Sequence, residues 1–112
     1  MRYTVRLGQV VIGHSQLENR DAANGRAWGI FRPGLGWELV QPIFQLFTEA
    51  VPMKGGEPMH EDKLERYHAA RDRLGLELAD ANGRVLATSA IHITEYDGVI
   101  ELEILGHWIA DE

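Results

Sequence analysis

Glu61, Glu65 and His68 come nearer to a chemical motif than any other residues of the chain. In a helix, positions i, i+4 and i+7 share a face, and Glu65 to His68 is the E-x-x-H step with which di-iron bundles hold metal. Such bundles need the step on two helices, with further carboxylates from two more. This chain has it only once on an expected helix, so the group reads as a solvated charged face. His60, just before it, adds one donor without completing a set. His14, His92 and His107 are scattered, and no pair of histidines has zinc-protease spacing. Neither a metal nor a cofactor is expected.

A second group lies towards the C-terminus. Glu77, Glu101 and Glu103, with Thr88, His92 and Thr94, are expected on the outer face of an antiparallel meander. Neighbouring carboxylates can raise one another's pKa and create a general acid or base. A polar, solvated sheet face is the simpler account, and if the face is functional, binding a basic partner is a better use of it than catalysis. Glu77, His92, Glu101, Glu103 and Trp108 are therefore the expected partner-binding residues; Trp108, or Trp28, is the partly exposed aromatic that could anchor an interface.

Glycines form the third candidate. Gly29, Gly34 and Gly36 surround Pro33 and do not make G-x-G-x-x-G. Their place between a strand and a helix suits an anion site at a helix N-terminus, with Arg32 as the cation. Arg32, Gly34, Gly36 and Trp37 are thus an alternative, ligand-binding set; glycines that only permit a tight turn explain the pattern as well. Ser15 and Ser89 are the only serines, and neither sits in a G-x-S-x-G turn. No catalytic residue is assigned, and the reading leans away from an enzyme.

The elements that must position these residues are legible in the patterning. Residues 2–7 alternate, with Tyr3, Val5 and Leu7 on one side. Gly8-Gln9 offers a turn into a second strand, Val10 to Ile12, with Gly13 as a bulge or end. Residues 14–26 are polar; Ser15 and Glu18 have capping-box spacing, but no apolar period follows, so no helix is expected. Ala27 to Arg32 reads as a strand with Trp28 and Ile30 on one face. Trp37, Val40, Phe44, Phe47 and Val51, widened by Leu39, Ile43, Leu46 and Ala50, predict a helix buried on most of its circumference. Pro42 interrupts it, so the helix either starts near Pro42 or starts near Trp37 and kinks.

Residues 52–60 hold Gly55, Gly56 and Pro58 and predict a flexible loop. A second helix, Glu61 to Arg73, has only a thin ridge of Leu64, Tyr67 and Arg71 and is placed on the surface, with an Asp62–Arg66 pair at helical spacing. Leu74 to Leu105 contains two strong hairpin turns, Asn82-Gly83 and Asp97-Gly98. They divide three alternating runs, including a long strand from Val85 to Tyr96, and predict a three-stranded meander. The fold class is α+β: an antiparallel sheet of five or six strands packed against one buried helix, with a second surface helix.

Composition narrows the function classes. The 112 residues suit one domain, and 45% are hydrophobic, enough for a core without disulfides. The absence of cysteine removes thiolate zinc sites and cysteine nucleophiles, and fits a cytoplasmic setting. A net charge of −6 argues against nucleic acid. Residues 1–20 carry Arg2, Arg6, Glu18 and Arg20 and no apolar run of leader length, and no membrane span is expected. Three functions remain. The first is a non-enzymatic protein-binding module, such as an immunity-type inhibitor of a basic partner. The second is a small-molecule-binding protein or enzyme with a pocket between sheet and first helix, the loop serving as lid. The third is a self-associating component that forms a homo-oligomer through a sheet edge or Trp108.

Overall fold

The computed structural model describes residues 1–110 and has an α+β architecture built on two antiparallel sheets. The strands are β1 (Tyr3–Leu7), β2 (Val10–Ser15), β3 (Asn19–Asp21), β4 (Arg26–Ile30), β5 (Arg32–Pro33), β6 (Glu77–Ala79), β7 (Val85–Leu86), β8 (Ala90–Tyr96) and β9 (Val99–Leu105). Helices α1 (Trp37–Ala50) and α2 (Glu61–Leu74) lie between β5 and β6, and a short helix, α3 (His107–Ala110), follows β9. One sheet has the order β5-β2-β1-β6-β7 and the other β3-β4-β9-β8.

The alternation in β1 does what its period requires. Tyr3 and Val5 are buried, and β1 pairs with β2 on one side and β6 on the other. The bulge falls at Ile12, beside Gly13: Val5 opposes Gly13 while Arg6 opposes Val11. Ser15 ends β2 and its buried Oγ accepts the Leu17 amide at 3.1 Å, which ties a turn rather than starting a helix. Asn19–Asp21, inside the stretch read as irregular, pairs with β4. In β4 Trp28 and Ile30 do share a face, but Ala27 and Gly29 are the residues turned inward.

The expected meander resolves into two hairpins in different sheets. β6 and β7 close around Asp80, whose carboxylate accepts the amides of Asn82 and Arg84 at 2.9 Å each. The run from Val85 to Tyr96 then breaks between Leu86 and Ala90, and β8 joins the second sheet, paired with β9. The turn between β8 and β9 is the two-residue type that Asp-Gly favours, with Asp97 at φ 53° and Gly98 at φ 79°.

α1 starts at Trp37 and continues past Pro42 in its second turn. Proline leaves the Glu38 carbonyl without its helical partner, and this is tolerated because Glu38 and Pro42 both face solvent. Burial is narrower than the stripe predicted. Val40, Phe44 and Ala50 are buried, Trp37, Ile43, Leu46 and Phe47 partly so, and Leu39 is 64% exposed. α2 departs from a simple surface helix in one residue. Tyr67 is wholly buried and packs against Phe44 and Phe47 of α1, with ring centroids 6.0 and 5.3 Å away. The Asp62–Arg66 pair is not made; Lys63 reaches across to Glu49 at 3.3 Å instead. One buried cluster joins Tyr3, Val5 and Leu78 of the first sheet, Ile91, Ile93, Leu102 and Ile104 of the second, and the inner faces of both helices. β8 is the edge strand of its sheet, and α1 packs against it.

Candidate functional site

The outer face of the β8–β9 hairpin gathers three of the expected partner-binding residues, His92, Glu101 and Glu103, around one cleft. Period-two geometry sends His92, Thr94 and Tyr96 to the side opposite Ile91 and Ile93, and cross-strand register sets His92 against Glu103 and Thr94 against Glu101. β4 adds Arg26 from the far side of β9, the C-terminal half of α1 adds Phe47, and the loop adds Lys54 and Gly55. Together they line a cleft of about 330 Å³.

Its charges are paired within the fold. Arg26 donates its Nε–H to Glu103 at 2.5 Å and lies over the Trp28 ring, 4.0 Å from the centroid. Lys54 stands 3.5 Å from Glu101 and is mostly exposed, so the loop is fastened to the sheet by a solvated ion pair. Tyr96 donates its hydroxyl to the Val51 carbonyl at 2.6 Å, which fixes the chain where α1 ends and the loop begins. Burial pushes the Tyr96 phenol up.

His92 forms the floor. Its Nδ1 meets the buried Tyr67 hydroxyl, and Phe47 stands edge-on to the imidazole, 4.4 Å between centroids. Burial pulls the His92 pKa down to about 4; the Glu103 carboxylate opposes that shift, while Arg71 and His68 add to it. Burial pushes the Tyr67 phenol up to about 12 against the pull of the Arg71 guanidinium, which sits 5.3 Å from its ring. Both groups are therefore neutral at pH 7. With Tyr67 as donor to Nδ1, the imidazole keeps its proton on Nε2.

The structure brings His92, Thr94, Glu101 and Glu103 together and separates the other expected members. Glu77 belongs to the other sheet, where Arg6 lies 3.9 Å away. Thr88 sits between β7 and β8 and lines a different hollow, with Arg71 and Ser89. Trp108 is half-buried, away from this face, beside Tyr3 at 5.7 Å between rings, and its buried Nε1 has no hydrogen-bond partner among the described residues.

The glycine-rich turn places its amides elsewhere than at an anion. Gly34 donates to the Ile12 carbonyl at 2.7 Å and Gly36 to Val11 at 3.0 Å. A Cβ on Gly36 would stand 2.6 Å from Val10 Cγ1 and 2.7 Å from the Val11 oxygen, so close approach to β2 accounts for this glycine. Arg32 faces solvent in β5 and, with Arg2, adds to the burial that lowers the His14 pKa. Trp37 turns towards a separate hollow described below. Glu61, Glu65 and His68 are all exposed, and no group of three or more metal-ligating side chains is found among the described residues.

Sequence reasoning missed Arg26, Phe47, Lys54, Tyr67 and Tyr96. A tyrosine alone on a charged helix was the one available signal for Tyr67. Comparison with models of protein families, with curated proteins and with solved structures finds no significant match. No helix is long and apolar enough to cross a membrane among the described residues.

Proposed function

We propose that the protein is a non-enzymatic binder of a small polar molecule, held in the cleft between the outer face of the β8–β9 hairpin, the end of α1 and the loop 52–60. The observation that carries this reading is convergence. Arg26, Phe47, Lys54, His92, Glu101 and Glu103 come from five separate elements and meet around one cleft of ligand size. An aromatic wall, a neutral imidazole N–H, the Thr94 hydroxyl and two ion pairs supply donors and acceptors on several sides.

Binding suits the site better than catalysis. A histidine at about 4 and a tyrosine at about 12 are poor proton shuttles at neutral pH. The same reasoning ranks this reading above a basic protein partner on this face. Lys54 and Arg26 already neutralise Glu101 and Glu103, so an incoming cation must displace an internal one. The favoured ligand is uncharged or zwitterionic, and Lys54 is the group that yields on entry.

Thermal unfolding against a broad panel of neutral and zwitterionic metabolites tests the reading. A true ligand raises the melting temperature, and above its Kd the rise grows with the logarithm of its concentration. Thr94→Val and Glu101→Gln remove most of that rise while leaving the ligand-free melting temperature nearly unchanged. A panel without a single stabilising compound overturns the proposal.

A further inference from the structure

A second hollow lies on the other side of β8, between α1 and the β8–β9 turn. It has a volume of about 340 Å³. One stripe of α1 forms its wall: Trp37, Gln41, Gln45 and Thr48, at i, i+4, i+8 and i+11. The end of β8 supplies Glu95 and the turn supplies Asp97 opposite.

Each part is held in place. The Trp37 indole stacks on Phe44, 6.0 Å away and 18° from parallel, and leans on Phe31 at 5.5 Å. Asp97 is fixed in the left-handed region by the tight turn. Gln41 donates from Nε2 to Gln45 Oε1 at 3.3 Å, which leaves the Gln41 carbonyl oxygen as an acceptor on the same stripe.

The charges here differ from those in the cleft. Glu95 and Asp97 have no ion-pair partner among the described residues, and no basic side chain lines the hollow. A phosphate or carboxylate ligand would meet two carboxylates. A cation meets two carboxylates, an amide oxygen and the face of an indole, the combination that favours organic cations.

We infer that this hollow binds an organic cation, a guanidinium or alkylammonium group, stacked on Trp37 and paired with Glu95 and Asp97. Such a group comes either as a free small molecule or as an arginine side chain of a polypeptide. The site is independent of the ligand in the neighbouring cleft.

Titration of the uniformly 15N-labelled protein with argininamide, followed by NMR, tests this. The expected result is a saturable shift of the Trp37 indole N–H and of the Asp97 and Gly98 amides, with the amides of Arg26 and His92 unmoved. Nα-acetylcitrullinamide, which carries no charged group, and glucose leave the same signals in place. Glu95→Gln combined with Asp97→Asn weakens argininamide at least roughly tenfold, or about 1.4 kcal/mol. Both residues are exposed, Glu95 near the end of β8 and Asp97 in the turn, so an otherwise unchanged amide spectrum verifies that this variant is folded. An arginine-bearing tetrapeptide that binds much more tightly than argininamide identifies a polypeptide source; equal binding identifies a small molecule. The inference is overturned if argininamide moves none of these signals at millimolar concentration, or if Nα-acetylcitrullinamide or glucose moves them equally.

Discussion

The Tyr67 hydroxyl meets His92 Nδ1 beneath the cleft and joins α2 to the edge strand of the second sheet. Tyr67 is wholly buried and His92 mostly so, so water does not readily replace the partner that either would lose. The contact makes folding sensitive to pH at both ends of the scale.

His92 binds its proton less readily folded than unfolded, with a pKa of about 4 against 6.5. The unfolded chain therefore takes up more protons between these values, and stability falls as pH drops through that window. Urea unfolding is expected to be flat just above pH 6.5, then to lose up to about 3 kcal/mol by pH 4. Tyr67 acts in the opposite direction. Its phenol ionises at about 12 folded against 10 unfolded, so stability falls again as pH rises from 10 to 12. His92→Gln removes the acid slope; a slope unchanged in that variant assigns it to other groups.

Tyr67→Phe keeps the ring packing and deletes the hydroxyl. It leaves His92 Nδ1 buried without its partner and is expected to cost about 1–2 kcal/mol in urea unfolding. The His92 pKa should also change, which NMR titration of the imidazole reads directly.

Pro42→Ala restores an amide that can reach the Glu38 carbonyl. Both positions are exposed, so nothing need repack. The gain in helix bonding exceeds the added entropy of the unfolded chain, and stability is expected to rise by about 1–2 kcal/mol. A loss instead would mean that proline sets the direction of α1.

Gly36→Ala tests the junction between β2 and α1. The added methyl stands 2.6 Å from Val10 Cγ1 and 2.7 Å from a backbone oxygen. Chemical denaturation should show a loss of about 1–3 kcal/mol.

Lys54→Ala separates fastening from stability. An exposed ion pair is worth less than about 1 kcal/mol, so the melting temperature should hardly move. Cleavage within residues 52–60 under limited proteolysis should become several-fold faster.

What could be seen in the sequence was local. Tyr3, Val5 and Leu7 alternate over one strand, and Asp97-Gly98 sets the register that places His92 opposite Glu103 and Thr94 opposite Glu101. Both signals act within a few residues. The break at Ala87–Ser89 has no proline or glycine to announce it, so a strand in each sheet read as one long strand. Pairing of β1 with β6, and of β4 with β9, depends on contacts far apart along the chain. Arg26 could not be matched to Glu103 without that pairing, nor Tyr67 to His92 without the docking of α2. Pattern alone also over-read α1: Leu39 satisfies the apolar period yet faces solvent, because only one side of the helix meets the sheets.

The outermost strands bear on how this chain meets others. β5 and β7 are two residues long, β5 includes Pro33, and β3 has three residues. β8 is longer, but α1 lies along it. An extended peptide, or a strand from a second copy, finds no long row of free amides and carbonyls to zip onto. Edges this short offer an incoming strand little to pair with, which disfavours edge-to-edge aggregation of the folded protein through β3, β5 and β7.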